Sequence, residues 1–189
     1  MVIFSKMLLV FVLLSSQSGF GAEIEVEILR VVDGDTIEVW HKDELLRVRL
    51  QGIDAPELDQ PFGQEARLHL SKLVQGQMVS IIYESYDTYG RLLGKILVNG
   101  HDINLRMIKD GLAWWYRYYR QQQSSEDQVV YESTEAHSKN LKLGLWVSEN
   151  PIEPYEWRKL RKNKMLRAKA NFNIVQTSTT VTFLKLKSS

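Results

Sequence analysis

Val32-Asp33-Gly34-Asp35-Thr36, followed one strand later by Arg49-Leu50-Gln51-Gly52-Ile53-Asp54-Ala55-Pro56-Glu57, is the stretch around which the chain is organised. Asp33-Gly34-Asp35 is a turn signal. Before it, Glu23-Ile24-Glu25-Val26-Glu27-Ile28 alternates acid and apolar side chains, the period of a half-buried strand that runs to Val32. After it, Thr36 to Trp40 alternates again, with Ile37 and Trp40 suited to a pleated surface. His41-Lys42-Asp43-Glu44 is a polar reversal. Leu45 to Leu50 is a third strand, with Arg47 and Arg49 on one face and Leu46, Val48 and Leu50 on the other. Three strands joined by short turns predict an antiparallel meander. Its turns carry Asp35, Asp54 and Glu57, which can gather round one hard cation, and Arg49 lies on the strand leading into the second turn. Carboxylates for a metal beside an arginine for a phosphate point to phosphodiester chemistry.

Further along, Pro56 and Pro61 bracket a loop. Ala66, Leu70 and Leu73 then recur at helical spacing, which predicts a helix from Gly63 to Leu73. Met78 to Tyr83 and Leu92 to Val98 read as a fourth and fifth strand, with Tyr89-Gly90-Arg91 in the turn between them. Ile103 to Asp110 reads as a short helix stopped by Gly111. A third helix runs to about Leu141, capped by Ser124 or Ser125, the latter at capping-box spacing from Gln128. Five strands with one helix after the third match the OB-fold, a small Greek-key barrel, in the α+β class.

Length and composition suit one soluble domain of 189 residues. The net charge of +1 conceals a split: nine of the 24 Lys/Arg lie from Arg158 onward, where there is no acid, while all 23 acids lie before it. An acidic body argues against tight, metal-free, nonspecific DNA binding by the body as a whole, and a basic tail adds salt-dependent phosphate contacts. With no cysteine, disulfides, zinc–thiolate sites and thiol nucleophiles are excluded. His41, His69, His101 and His137 are scattered without metal-ligand spacing. At the N-terminus Lys6, the apolar run Met7–Leu14 and a small-residue stretch to Ala22 have the layout of a secretory signal peptide. The alternative is an uncleaved membrane anchor. The expected divisions are a signal peptide over 1–22, the barrel domain over 23–158 and a basic, disordered tail over 159–189, in which Asn173 to Leu186 is an alternative extra strand.

Three pieces in order, Asp33-Gly34-Asp35-Thr36, Arg49 to Glu57 and Tyr89-Gly90-Arg91, resemble the core pattern of the staphylococcal nuclease (thermonuclease) family. The resemblance covers the organisation of Glu23 to Arg158 and implies closure of the five strands into an OB-fold barrel. It implies Ca²⁺ held by Asp35, Asp54 and the backbone carbonyl of Ala55, where the family often has threonine. It assigns Arg49 and Arg91 to the phosphate, and Glu57 to orienting or deprotonating the attacking water. Asp87, Tyr89, Tyr116 and Tyr119 are the candidates for the nucleotide groove. Gly144-Leu145-Trp146 and Pro154-Tyr155-Glu156-Trp157-Arg158 resemble the closing segment of bacterial members and read as packing. The function implied is a secreted or periplasmic, monomeric, calcium-dependent nuclease acting on DNA and RNA and leaving 3′-phosphate ends. The competing reading is a noncatalytic OB-fold module that binds nucleic acid.

Overall fold

A computed structural model describes residues 21–166. Residues 1–20 of the expected signal peptide over 1–22 and the tail from 167, with the alternative strand Asn173–Leu186, lie outside the described residues.

The meander forms as its alternation dictates. β1 (Ala22–Val31) turns Val26 and Ile28 into the core and Glu23, Glu25 and Glu27 outward. β2 (Thr36–His41) pairs antiparallel with β1 and with β3 (Glu44–Leu50). Glu38 is buried on the outer face of β2 because Arg30 and Arg47 from the flanking strands close over it, at 2.6 and 2.7 Å. β5 (Met78–Tyr86) pairs with β1, and β6 (Leu92–Val98) with β5. A parallel pairing of Val48, Arg49 and Leu50 with Leu92, Leu93 and Gly94 then joins β3 to β6 and closes five strands into a barrel. That order is the OB-fold that the resemblance implied. Ile37, Val39, Val48, Leu50, Val79, Ile81, Leu92 and Ile96 fill its interior.

Two small ladders extend the barrel. β4 (Ile53–Asp54) pairs with β8 (Trp114–Trp115), and β7 (His101–Asp102) pairs with β6. α1 (Gly63–Val74) closes one end with Ala66, Leu70 and Val74. α2 (Ile103–Lys109) follows β7, capped by the Asp102 side chain on the Leu105 amide. Its Asn104 is buried, accepts from the Ile96 amide and donates to the Gln51 and Gly94 carbonyls, tying β6 to the turn after β3. α3 (Ser125–Asn140) is capped by Ser124 on the Asp127 amide, which decides between the two serines. A fourth helix, α4, spans residues 154–166. It corrects the reading of a loose tail over its part, 159–166, because its first turns are held to the body by side chains of the Pro56–Phe62 loop. Among the described residues no helix is long and apolar enough to cross a membrane.

Glu135 of α3 is wholly buried and accepts from the Trp115 amide at 3.0 Å, Arg117 at 2.7 Å and Lys139 at 2.9 Å. Burial pushes its carboxyl up, but the two cations outweigh burial and hold it below the ordinary value. The stability it contributes is therefore complete above its ordinary pKa of 4.5 and is lost as pH falls through the depressed folded value. Glu135→Ala strands the buried Trp115 amide, and urea unfolding at neutral pH is expected to show a loss of about 2–4 kcal/mol. That loss should shrink in acid.

Candidate active site

Asp33-Gly34-Asp35 turns tightly at the end of the barrel closed by α1. A Cβ on Gly34 would sit 2.6 Å from the Ala55 methyl and 2.7 Å from that of Ala66, so only glycine lets this turn pack between the second acidic loop and the helix. The Asp33 carboxylate accepts the Asp35 amide, which fixes the turn. Its own carboxyl is pushed up to about 7, by burial and by the charge of Asp35.

Across this turn lies the end of β3. Arg49 is nine-tenths buried, and its Nη2 reaches Asp35 Oδ2 at 3.1 Å and Asp54 Oδ1 at 3.0 Å. Its Nη1 donates to the Leu50 carbonyl at 2.8 Å. Asp35 also accepts the Ala55 amide at 2.7 Å and the Thr36 hydroxyl at 3.1 Å. The two aspartates and Arg49 are thus brought together as the sequence predicts. Glu57 is not gathered with them round one point: among the described residues no three acids or histidines stand close enough to hold a metal. The reason is local, since the Glu57 carboxylate turns to Arg158 at 2.6 Å while its amide donates to Gln60 Oε1 at 3.1 Å.

The Asp54 carboxyl is pushed up to about 7, chiefly by burial; Arg49 and Arg158 oppose the shift, while Asp35 and Glu57 reinforce it. Two buried carboxylates, with oxygen as the donor, could hold a hard cation such as calcium together with carbonyls and waters.

Arg91 stands apart. Its Nε donates to Asp87 Oδ2 at 2.6 Å, and Asp87 Oδ1 accepts the amides of Tyr89 and Arg91. Asp87 therefore organises this turn and holds Arg91. Arg91 also lies 5.6 Å from the centroid of the Tyr89 ring. With Glu38, Leu45, Arg47, Tyr89 and Gly90 it lines a pocket of ≈ 280 Å³. Among the described residues no hydrogen bond or ion pair links Arg91 to Arg49, Asp35 or Asp54.

The β4–β8 ladder pairs Asp54 with Trp114, which brings the aromatic run beside the acids. Trp114 and Trp115 are core residues. Half-buried Tyr116 and exposed Tyr118 and Tyr119 form a cluster with ring centroids 4.9–6.3 Å apart, and the Tyr116 phenol is raised by burial and by Asp54. Tyr118, in the same aromatic run as the candidates Tyr116 and Tyr119, is 80% exposed. One residue was missed by the sequence reading: Arg158, assigned to packing, contacts Glu57 at 2.6 Å and lies 3.6 Å from Asp54. Its distance along the chain from Glu57, 101 residues, hid it.

A small α+β barrel carrying a buried aspartate–arginine–aspartate cluster at its strand ends defines the class of protein. The chain belongs to the staphylococcal nuclease family: the model of staphylococcal nuclease homologues matches residues 47–148. It is 39% identical to a micrococcal nuclease of Shigella flexneri over 151 residues, 75% of this chain and 84% of that protein. It is 36% identical over 166 residues to an uncharacterized endonuclease of Haemophilus influenzae, covering 87% and 88% of the two chains. It is also 40% identical over 113 residues to the staphylococcal-like nuclease CAN1 of Arabidopsis thaliana, covering 60% of this chain and 33% of that one.

Proposed function

We propose that the protein is an exported, calcium-dependent nuclease that hydrolyses phosphodiester bonds of DNA and RNA. The observation that carries this reading is the single buried guanidinium of Arg49 held between Asp35 and Asp54, at 3.1 and 3.0 Å. Asp35, Asp54 and the Ala55 carbonyl would hold the calcium. Bound there, calcium supplies positive charge to the phosphodiester oxygens and makes a nearby water easier to deprotonate. Glu57 accepts the proton of the attacking water, whose oxygen forms the new bond to phosphorus. The bond to the 5′-oxygen breaks, that oxygen takes up a proton, and a 3′-phosphate remains. Arg49 and Arg91 keep their charge and offer paired donors to the phosphate oxygens as negative charge builds. The half-buried ring of Tyr116 and the exposed rings of Tyr119 and Tyr89 stack on bases without reading sequence, and Asp87 serves by holding Arg91.

Degradation of plasmid DNA and of single-stranded RNA with calcium, and its arrest by a chelator, is the expected result. Nucleic-acid binding without cleavage under both conditions would favour the noncatalytic module. Export is proposed from Lys6 and the Met7–Leu14 run, with about the first twenty residues removed. N-terminal sequencing of protein from the culture medium or periplasm tests it, and a soluble cytoplasmic form starting at Met1 would defeat it.

A further inference from the structure

α4 returns from the far end of the chain onto the loop that carries Glu57. Gln60 donates to the Ile152 carbonyl at 2.6 Å just before the helix begins. Trp157 Nε1 donates to Asp59 at 3.2 Å, and Arg161 grips both Asp59 oxygens at 3.0 Å. These contacts suffice to seat the helix. Arg158 does something else: one terminal nitrogen lies 2.6 Å from Glu57 Oε1 and the other 3.6 Å from Asp54 Oδ2. Its side chain is 43% exposed and that of Glu57 32%, and an ion pair so open to water adds little to folding stability.

The electrostatics of the mouth give this arginine a use. Glu57, a third exposed and sharing Arg158 with the buried Asp54, presents an acidic face to an arriving polyanion. Arg49 lies behind that face in the free protein, with its side chain 10% exposed and its terminal nitrogens on Leu50, Asp35 and Asp54. The guanidinium in contact with Glu57, and open to solvent, belongs to Arg158.

We propose that Arg158 is a third phosphate-contacting arginine of the site, bound to Glu57 and Asp54 in the free protein and to the substrate phosphodiester in the complex. The inference rests on the nuclease reading above and names a residue which that reading does not require.

The test uses the full chain and a single-stranded DNA oligonucleotide, with binding measured in chelator at several salt concentrations and cleavage measured with calcium. Arg158→Gln should reduce the slope of log affinity against log salt by about 0.7, the loss of one single-strand phosphate contact. It should also lower kcat/KM at least tenfold more than Arg161→Gln, which removes the same charge one turn along the helix. A parental slope in Arg158→Gln, equal losses in the two variants, or faster cleavage in Arg158→Gln would each overturn the proposal. Should Arg158→Gln fail to fold, Arg158→Lys carries the test: charge is kept, so the slope should stay parental, while loss of paired donors lowers kcat/KM at least tenfold. Unchanged kcat/KM in that variant overturns it. If the parent cleaves nothing, the nuclease reading fails; if it cleaves and the Arg158 variants behave as the parent, this inference alone fails.

Discussion

Glu57→Gln is expected to lower turnover by about 10²-fold or more while calcium and oligonucleotide binding persist. Glutamine keeps the length and hydrogen-bonding reach of the side chain and removes its charge and basicity. The fold should survive, because the Glu57 amide holds Gln60 and the side chain is a third exposed. Loss of the ion pair with Arg158 leaves a cation that is already half in water. Single-turnover cleavage with saturating calcium separates the two quantities. Parental turnover would remove Glu57 from the proton transfer and leave it as the seat of Arg158.

Arg49→Lys carries the second large effect, a fall in turnover of about 10²–10³-fold, with substrate affinity changed much less. Lysine keeps a positive charge between Asp35 and Asp54, so the buried acids are not left facing one another unrelieved. It loses the planar fork that matches two phosphate oxygens. If those donors tighten on the transition state, the loss belongs in kcat. Parental turnover would shift the phosphate clamp to Arg158 or Arg91. Arg47 is a poor substitute, because it is paired with Glu38 at 2.7 Å on the outer face of the barrel.

The meander, the helix α1 and the nearness of Arg49 to Asp54 were legible because each rests on short-range pattern. Alternation in Glu23–Ile28 fixes which side of β1 is buried, and Gly34 marks the turn whose backbone must pass between two methyl groups. Closure of the barrel was not legible from periodicity, since the β3–β6 pairing joins strands more than forty residues apart through backbone groups common to any sequence. It came from the resemblance. The same holds for the β4–β8 ladder, only two residues long, which sets Trp114 opposite Asp54 and so positions the tyrosines.

Arg158 escaped for a related reason. In Pro154-Tyr155-Glu156-Trp157-Arg158 the aromatics suggest packing, and half of that holds, with Pro154 buried and Trp157 bonded to Asp59. What the pattern lacks is any sign of which loop the helix meets. The count of basic residues was read as a tail property, yet Arg158 and Arg161 are paired with Glu57 and Asp59 of the body. Charge segregation along the sequence is here partly charge pairing in space. Glu57 and Asp54 meet through Arg158, a shared cation that the spacing of the acids gives no sign of.

Calorimetric titration of calcium into the full-length parent and Asp35→Asn tests the central claim most directly, that the aspartates beside Arg49 form the metal site. Asparagine keeps the shape of the side chain: its one oxygen can still accept the Ala55 amide and its Nδ2 can donate to the Thr36 hydroxyl oxygen, so the turn is preserved. Removing a carboxylate from so small a ligand set is expected to weaken calcium binding at least tenfold, roughly 1.4 kcal/mol or more. Equal calcium affinity in the two proteins would contradict the account, and would place the metal, and the chemistry built on it, somewhere other than the Asp35–Arg49–Asp54 cluster.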